Sequence, residues 1–373
     1  MKIHIFSQKT NIIFCGIVFP AGTIYEPPHL KGISHFVEHM IFTSSHFFEV
    51  EQNGFIADAI TYPDFMIIYL YGPPEISHFR SALNAFASAL CADAYFHDAF
   101  ETVKKTILSE IYETNSNPSK LIYDLLFYNT FHEVPVYGTT DTVSAITLED
   151  CIIFKKYLFS QKNINVILYG DVGRKHINIT RDIITRVFTG NTILSRFQSP
   201  LKKNIQIDFD LNCGDVCFIA ATSPCQRADF PSAVFTESVL TIGSENPVTE
   251  IFLQKYGLGD TAELVVNYLE HLAAPCVVLH NIPKKQVKVI DKAVRDFAER
   301  IDEICDNADA LEYRKKLFCS SVYSQNLEYK ITILARYIMD GFCPRSFSEM
   351  IEHFCSAEPL VFLPEKIRKI CIF

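Results

Sequence analysis

The residues best suited to chemistry lie in the pentapeptide His35-Phe36-Val37-Glu38-His39, which has the pattern H-x-x-E-H. On a helix, two histidines four residues apart project from the same face. Their neutral ring nitrogens could then bind one tetrahedral zinc ion at about 2.0–2.1 Å. Glu38 lies beside the same face, where a carboxylate can take a proton from water acidified by the metal. The pattern therefore predicts a zinc site with Glu38 as general base.

The apolar neighbours of this motif favour a metal over the alternative interpretation, histidines that are satisfied within a core. Phe36, Met40 and Phe42 would bury the motif on the inner side of a helix. Two histidines and a glutamate in so apolar a segment cost free energy unless they share a partner. A metal ion is the simplest shared partner.

A third protein ligand is needed, because hydrolytic zinc sites normally have three and keep one position open. The helix predicted near 97–114 offers Glu101, Glu110 and Glu113. Glu110 lies next to the apolar side of that helix, whereas Glu101 and Glu113 fit a solvated face. Spacing favours Glu110 without excluding the other two.

The elements that must position these residues follow from hydrophobic periodicity. Strands are predicted near 12–20, 54–61, 65–71, 164–169, 203–210, 215–222, 261–268, 276–282, 359–363 and 368–373, and the chain's first residues resemble the start of another. Helices are predicted near 31–43, 75–91, 97–114, 118–131, 147–160, 229–242, 247–255, 284–304, 308–323, 326–340 and 346–356. The two halves share one order of elements, which indicates duplication of an α+β unit. We expect domains at 1–187 and 203–373, joined by a linker at 188–202.

Composition excludes several classes of protein. The chain has 373 residues, is 49% hydrophobic and carries a formal charge of −9, so it is neither disordered nor suited to binding nucleic acid. No 18-residue stretch is apolar enough for a membrane span. Residues 1–13 lack the features of a signal peptide, and the 12 cysteines are scattered singly. We therefore expect a cytoplasmic protein with reduced, mostly buried thiols.

Several stretches together resemble the pitrilysin/insulinase family of zinc metallopeptidases, the inverzincins, and within it the branch of mitochondrial processing peptidase. The similar stretches are Phe19–Glu26 leading into Gly32–Met40, Gly54–Thr61 with Tyr69, Ile107–Ile111 with Asn117-Pro118, Asp124–Phe127, Pro135–Thr139, Ala145–Asp150 and Tyr169–Val172. The resemblance is dense to about residue 172 and thin beyond it.

The resemblance implies roles for individual residues. It makes His35, His39 and Glu110 the zinc ligands and Glu38 the general base. It also implies two tandem homologous α/β sandwich domains, each an antiparallel sheet with helices packed on it, arranged as a clamshell. The substrate would be an unfolded peptide that adds a strand beside residues 54–61, a mode that reads the peptide backbone.

Substrate contacts and partners also follow from the resemblance. Asp58, Ala59 and Thr61 are the implied substrate-binding residues, and Asp58 stands where the family has Asn. Val103 stands where many relatives have a second catalytic Glu, and the second half of the chain departs from the family's pattern. Two alternatives to an autonomous peptidase therefore stay open: a non-catalytic scaffolding subunit, and a peptidase subunit that needs a related partner chain.

Overall fold

The computed structural model describes residues 1–92, 96–188, 190, 192–193, 195–196 and 213–373, and it contains two compact units. The first unit comprises the described residues of Met1–Tyr112 and Val134–Pro200, and the second those of Glu113–Glu133 and Leu201–Phe373. The segment 113–133 therefore packs with the second unit although it precedes much of the first in sequence. The predicted boundaries at 187 and 203 stay predictions, because most of the predicted linker lies outside the described residues.

The first unit is built on a five-stranded sheet with the strand order β1-β5-β2-β4-β3. β1 and β5 are parallel and the other neighbours are antiparallel. Its elements are β1 (Lys2–Ser7), β2 (Ile13–Phe19), α1 (Ile33–Ile41), α2 (His46–Gln52), β3 (Ile56–Thr61), β4 (Met66–Gly72), α3 (Ile76–Cys91), α4 (Phe96–Asn115), α6 (Thr140–Ala145), α7 (Leu148–Phe159), β5 (Asn165–Gly170) and α8 (Arg174–Val187).

In its described residues, the second unit contains another five-stranded sheet, in which β10, β6, β9 and β7 are neighbours in that order and β8 also pairs with β9. Every pair is antiparallel. Its elements are α5 (Pro118–Phe131), β6 (Val216–Thr222), β7 (Gln226–Arg227), α9 (Phe230–Val234), β8 (Thr261–Leu269), β9 (Leu272–Pro283), α10 (Ile290–Asp306), α11 (Ala308–Ser324), α12 (Leu327–Met339), α13 (Phe347–Ser356) and β10 (Arg368–Ile372). π-Helical segments extend over Phe235–Val239 and Thr249–Lys255.

Helices pack on both sheets and form apolar cores. In the first unit, β2 is buried along its whole length, as its uninterrupted apolar run predicts. In the second, Leu121, Ile122, Leu125 and Leu126 of α5 pack against Phe218 and Val278 of the sheet. The predicted α+β class with helices on largely antiparallel sheets is confirmed.

Two predicted strands need comment. The strand predicted near 203–210 lies outside the described residues. The strand predicted at 359–363 is wrong. The backbone N–H groups of Leu360, Val361 and Leu363 instead donate to side chains of Thr236, Gln226 and Ser223. Leu360 is buried whereas Val361 is 58% exposed, so this apolar run neither pairs in a sheet nor is buried as a whole.

No helix in the described ranges combines the length and the apolar character that a bilayer span requires.

Candidate metal and active site

Helix α1 carries the H-x-x-E-H motif, and Gly32 is its N-cap residue. The backbone φ of Gly32 is +95°, and a Cβ at this position would lie 2.6 Å from the carbonyl oxygen of Tyr137. Only glycine accommodates both conditions without strain. Phe36, Val37 and Met40 are fully buried in the core, so the apolar side of α1 fixes which way the motif points.

A buried carboxylate holds the N-terminus of α1. Glu26 is fully buried, and its two oxygens accept the backbone N–H groups of Gly32 at 2.7 Å and Ser34 at 2.8 Å. Burial raises the pKa of Glu26, which these hydrogen bonds and the nearby Lys31 ammonium oppose. The side chain satisfies two of the N–H groups that any helix leaves free at its start.

The two imidazoles of α1 converge with a carboxylate from α4. His35 Nε2 and His39 Nε2 are 3.2 Å apart. Glu110 Oε2 lies 3.9 Å from His35 Nε2, and Glu110 Oε1 lies 3.8 Å from His39 Nε2. The structure thus brings together the three residues predicted as ligands. Glu101 and Glu113, the other candidates on α4, are exposed.

The spacing and charge of these groups fit a tetrahedral ion. Two ligands about 2.05 Å from such an ion are about 3.3 Å from each other, which is close to the observed separations of 3.2–3.9 Å. Burial lowers the pKa of His35 to about 3 and lowers that of His39. Both rings are therefore neutral near pH 7, the form that binds metal. His35 Nδ1 is buried and has no hydrogen-bond partner among the described residues.

Glu38 stands beside this cluster with its carboxylate fixed. Glu38 Oε2 accepts a hydrogen bond from the hydroxyl of Thr61. Burial raises the pKa of Glu38 to about 7, and the carboxylates of Asp58 and Glu110 add to the shift. A carboxylate with a pKa near the working pH can both accept and return a proton.

The predicted substrate-binding residues lie on β3, which is an edge strand of the first sheet. Ala59 and Thr61 are buried, whereas Asp58 is exposed and its Oδ2 atom lies 3.4 Å from the hydroxyl of Tyr69, which donates to it. An edge strand presents unpaired N–H and C=O groups to which an extended chain can pair. The role of these residues in substrate binding stays a prediction.

Sequence reasoning missed the role of Glu26 at this site. A lone acidic residue among apolar neighbours, six positions before a glycine that starts a helix, was the available signal. Val103 is buried in the apolar core of the first unit, so no carboxylate occupies that position on α4.

Comparison with known proteins finds similarity to one family over part of the chain. Residues 4–140 match the model of the family described as Insulinase (Peptidase family M16). An uncharacterized zinc protease of Rickettsia bellii is 23% identical over 176 residues, covering 45% of this chain and 43% of that protein. A probable mitochondrial-processing peptidase subunit beta of Arabidopsis thaliana is 25% identical over 194 residues, covering 49% of this chain and 35% of that protein. The chain thus spans about two-fifths of the length of the curated relatives it matches.

Solved structures share the fold over nearly the whole chain. A protease from Helicobacter pylori superposes with a TM-score of 0.78 and 16% identity, covering 99% of this chain and 96% of that one. A peptidase M16 inactive domain from Pseudomonas fluorescens superposes equally well, with a TM-score of 0.78 and 13% identity, covering 99% and 94%. At these identities the likeness establishes the fold alone.

Proposed function

We propose that this chain, which belongs to the insulinase family (peptidase family M16) through residues 4–140, is a zinc-dependent endopeptidase that hydrolyses extended, unfolded peptides. The observation that carries the proposal is the convergence of His35, His39 and Glu110 with Glu38 beside them. The names of the zinc protease relatives support the choice of metal.

His35, His39 and Glu110 would hold the ion. When bound, zinc supplies Lewis-acid chemistry at the scissile carbonyl and acidifies the neighbouring water. Glu38 takes the proton of the attacking water and passes it to the leaving amine. The Thr61 hydroxyl keeps the Glu38 carboxylate in one orientation, so that less freedom is lost when the reaction begins.

The substrate would bind as an added strand along β3. Main-chain hydrogen bonds supply most of the affinity in this mode, and Asp58, Ala59 and Thr61 lie where the added strand would pair. Only a peptide or precursor segment in an extended conformation can pair in this way, which excludes folded proteins as substrates.

The second candidate is a non-catalytic or partner-dependent subunit on the same fold. The burial of Val103 in the core, where many relatives have a second catalytic Glu, favours it. The four residues around the metal position argue against it, because a purely structural protein has no need for Glu38 beside the histidines.

The deciding experiment compares wild type with Glu38→Gln for zinc content and for cleavage of a mixed peptide library. Wild type should bind one zinc ion and cleave, and the variant should keep the zinc and lose at least about 1,000-fold in kcat/KM. Glu49→Gln, an exposed glutamate on α2, is the matched control and should cleave as wild type does.

Each other outcome has one meaning. Undiminished cleavage by Glu38→Gln would refute the mechanism. Zinc binding without cleavage by the wild-type chain favours the partner-dependent subunit, and adding a related chain should then restore activity. No zinc in either protein favours the scaffold.

A further inference from the structure

Two cysteine sulfurs are in contact in the second unit, far in sequence from the metal motif. Cys319 Sγ on α11 and Cys355 Sγ on α13 are 3.6 Å apart. Both residues are half-buried, so neither lies sealed in the core.

The expectation of mostly buried thiols is wrong for this chain, since only four of its 12 cysteines are buried.

Helix packing, not a loop, brings these two sulfurs together. The preceding residues, Phe318 and Phe354, are 2% and 0% exposed, and their ring centroids are 6.4 Å apart. Further along α11, the hydroxyl of Tyr323 lies 2.7 Å from the hydroxyl of Ser348 on α13. Tyr323 follows Cys319 on α11, whereas its partner Ser348 precedes Cys355 on α13, so the two helices are antiparallel. The cysteine contact belongs to this register.

We propose that Cys319 and Cys355 are a modification site, a dithiol that low-molecular-weight disulfides oxidise reversibly to an intramolecular disulfide. The Cys319 thiolate attacks one sulfur of the small disulfide, and a small thiolate leaves. The thiolate of Cys355 then attacks Cys319 Sγ and expels the second small thiolate. Two protein thiols and one disulfide thus become one protein disulfide and two small thiols, and the two thiol protons go to the expelled thiolates.

The surroundings of the pair decide the order of attack. Burial and the contact with Cys319 raise the pKa of the Cys355 thiol, and the Lys315 ammonium opposes the shift. Burial, the larger of these causes, keeps Cys355 mainly in the thiol form, and its contact with Cys319 suits it to the resolving step. Closing the bond shortens the sulfur separation from 3.6 Å to about 2.05 Å, a change within reach of side-chain rotation and a small helix shift.

The disulfide would link α11 to α13 in the second unit and enclose α12 between them. It closes the chain between residues 319 and 355, which contains the end of α11, all of α12 and most of α13. A loop of this length removes considerable freedom from the unfolded chain. The oxidised protein should therefore unfold at a higher temperature than the reduced protein.

The test treats the full-length, native protein with oxidised glutathione and maps its disulfides by mass spectrometry of non-reduced peptides. We expect one linked peptide pair containing Cys319 and Cys355, a rise in Tm of roughly 5 °C or more, and reversal of both by dithiothreitol. Cys343→Ser, which removes an exposed cysteine, is the matched control and should behave as wild type.

Two variants make the result decisive even if the Tm shift is small. Cys355→Ser should accumulate glutathione at Cys319, and neither Cys355→Ser nor Cys319→Ser should show the cross-link or the rise in Tm. The proposal is overturned if Cys319 and Cys355 stay free thiols under conditions that glutathionylate Cys343, or if each takes up glutathione with no cross-link forming. Neither result depends on zinc or on peptidase activity.

Discussion

The three predicted zinc ligands are brought together in two different ways. The two histidines come from one helical turn of α1, so local structure alone brings their Nε2 atoms to 3.2 Å. Glu110 comes from α4 and depends on how that helix packs, since Ile107 and Ile111 are buried on its inner side. The third ligand is therefore the residue whose removal best separates a metal site from a pair of histidines.

Replacing Glu110 by Gln should weaken zinc binding by at least roughly 100-fold, because a neutral amide is a poor zinc ligand and even outer partners of metal ligands are worth about 10–100-fold. Competition with a calibrated chelator measures the affinity. Glu113→Gln makes the same change three residues later on an exposed face of α4 and should bind zinc as wild type does. Equal affinities of the two variants would exclude Glu110 as a ligand.

The charge of Asp58 should influence which peptides are cleaved. A strand paired with β3 would place one side chain about 4.5–5.5 Å from Asp58, which is exposed. Exposed charge pairs are worth about 0.2–1 kcal/mol, so Asp58→Asn should reduce the preference for Lys over Gln at that peptide position by about threefold. The ratio of kcat/KM values for matched peptides is the measurement.

A control separates a local effect of Asp58 from the effect of net charge. Asp182→Asn removes the same charge from the exposed surface of α8 and should leave the Lys/Gln ratio unchanged. An unchanged ratio in Asp58→Asn, with intact catalysis, would mean that the peptide does not pair beside this residue.

At the scale of elements, α1 depends on a residue outside it. Glu26 bonds the N–H groups of Gly32 and Ser34, and no solvent reaches this end of the helix because Glu26 is fully buried. Glu26→Gln would turn an amide NH₂ toward one of these N–H groups and leave two donors facing each other. We expect a loss of about 1–3 kcal/mol in the free energy of unfolding, measured by urea denaturation. Glu75→Gln, at the exposed start of α3, should lower the free energy of unfolding far less. An equal loss in the two variants would refute the role of Glu26 in anchoring α1.

Helices and strands with a clear hydrophobic periodicity, or with an uninterrupted apolar run, could be predicted from the sequence. β2, α1, α4 and α5 are examples. Helices α2, α6 and α8 are additional to the predicted elements. α2 and α6 are short, with seven and six residues, and α8 is a mostly polar helix whose apolar residues form only one stripe. The strand predicted at 359–363 failed because backbone N–H groups there donate to side chains of other elements and not to a neighbouring strand.

The candidate site shows the same limit. H-x-x-E-H specified three residues because their spacing is local. Spacing on α4 favoured Glu110 without excluding Glu101 and Glu113, and only the resemblance to a family singled it out. Glu26 and the contact of Cys319 with Cys355 depend on tertiary packing. The sequence signal for Glu26 was weak, and no local pattern reports the contact between the two cysteines.

At the scale of the whole molecule, chain order and packing order differ. Helix α4 carries Glu110 in the first unit, and the chain then contributes α5 to the core of the second unit before it returns at Val134. Any division of the protein at the linker alone would leave α5 with the first unit and expose Leu121, Ile122 and Leu126, which are 0% exposed. Functional work should therefore use the entire chain.

The pH dependence of unfolding tests whether a buried acid weakens the second unit. Burial raises the pKa of Glu237 to about 7, although its carboxylate accepts the backbone N–H of Val266 at 2.6 Å. Below about pH 4.5, Glu237 is protonated in both the folded and the unfolded protein. As the pH rises above 4.5, Glu237 ionises first in the unfolded protein, so the free energy of unfolding falls. The fall ends once the pH passes about 7, where Glu237 is ionised in both states. Wild type should lose on the order of 2 kcal/mol more than Glu237→Gln between pH 4.5 and 7.5, measured by urea denaturation of the full chain. Glu250→Gln, a more exposed acid of the same unit, should keep the wild-type slope, and parallel curves for wild type and Glu237→Gln would show that Glu237 ionises normally in the folded protein.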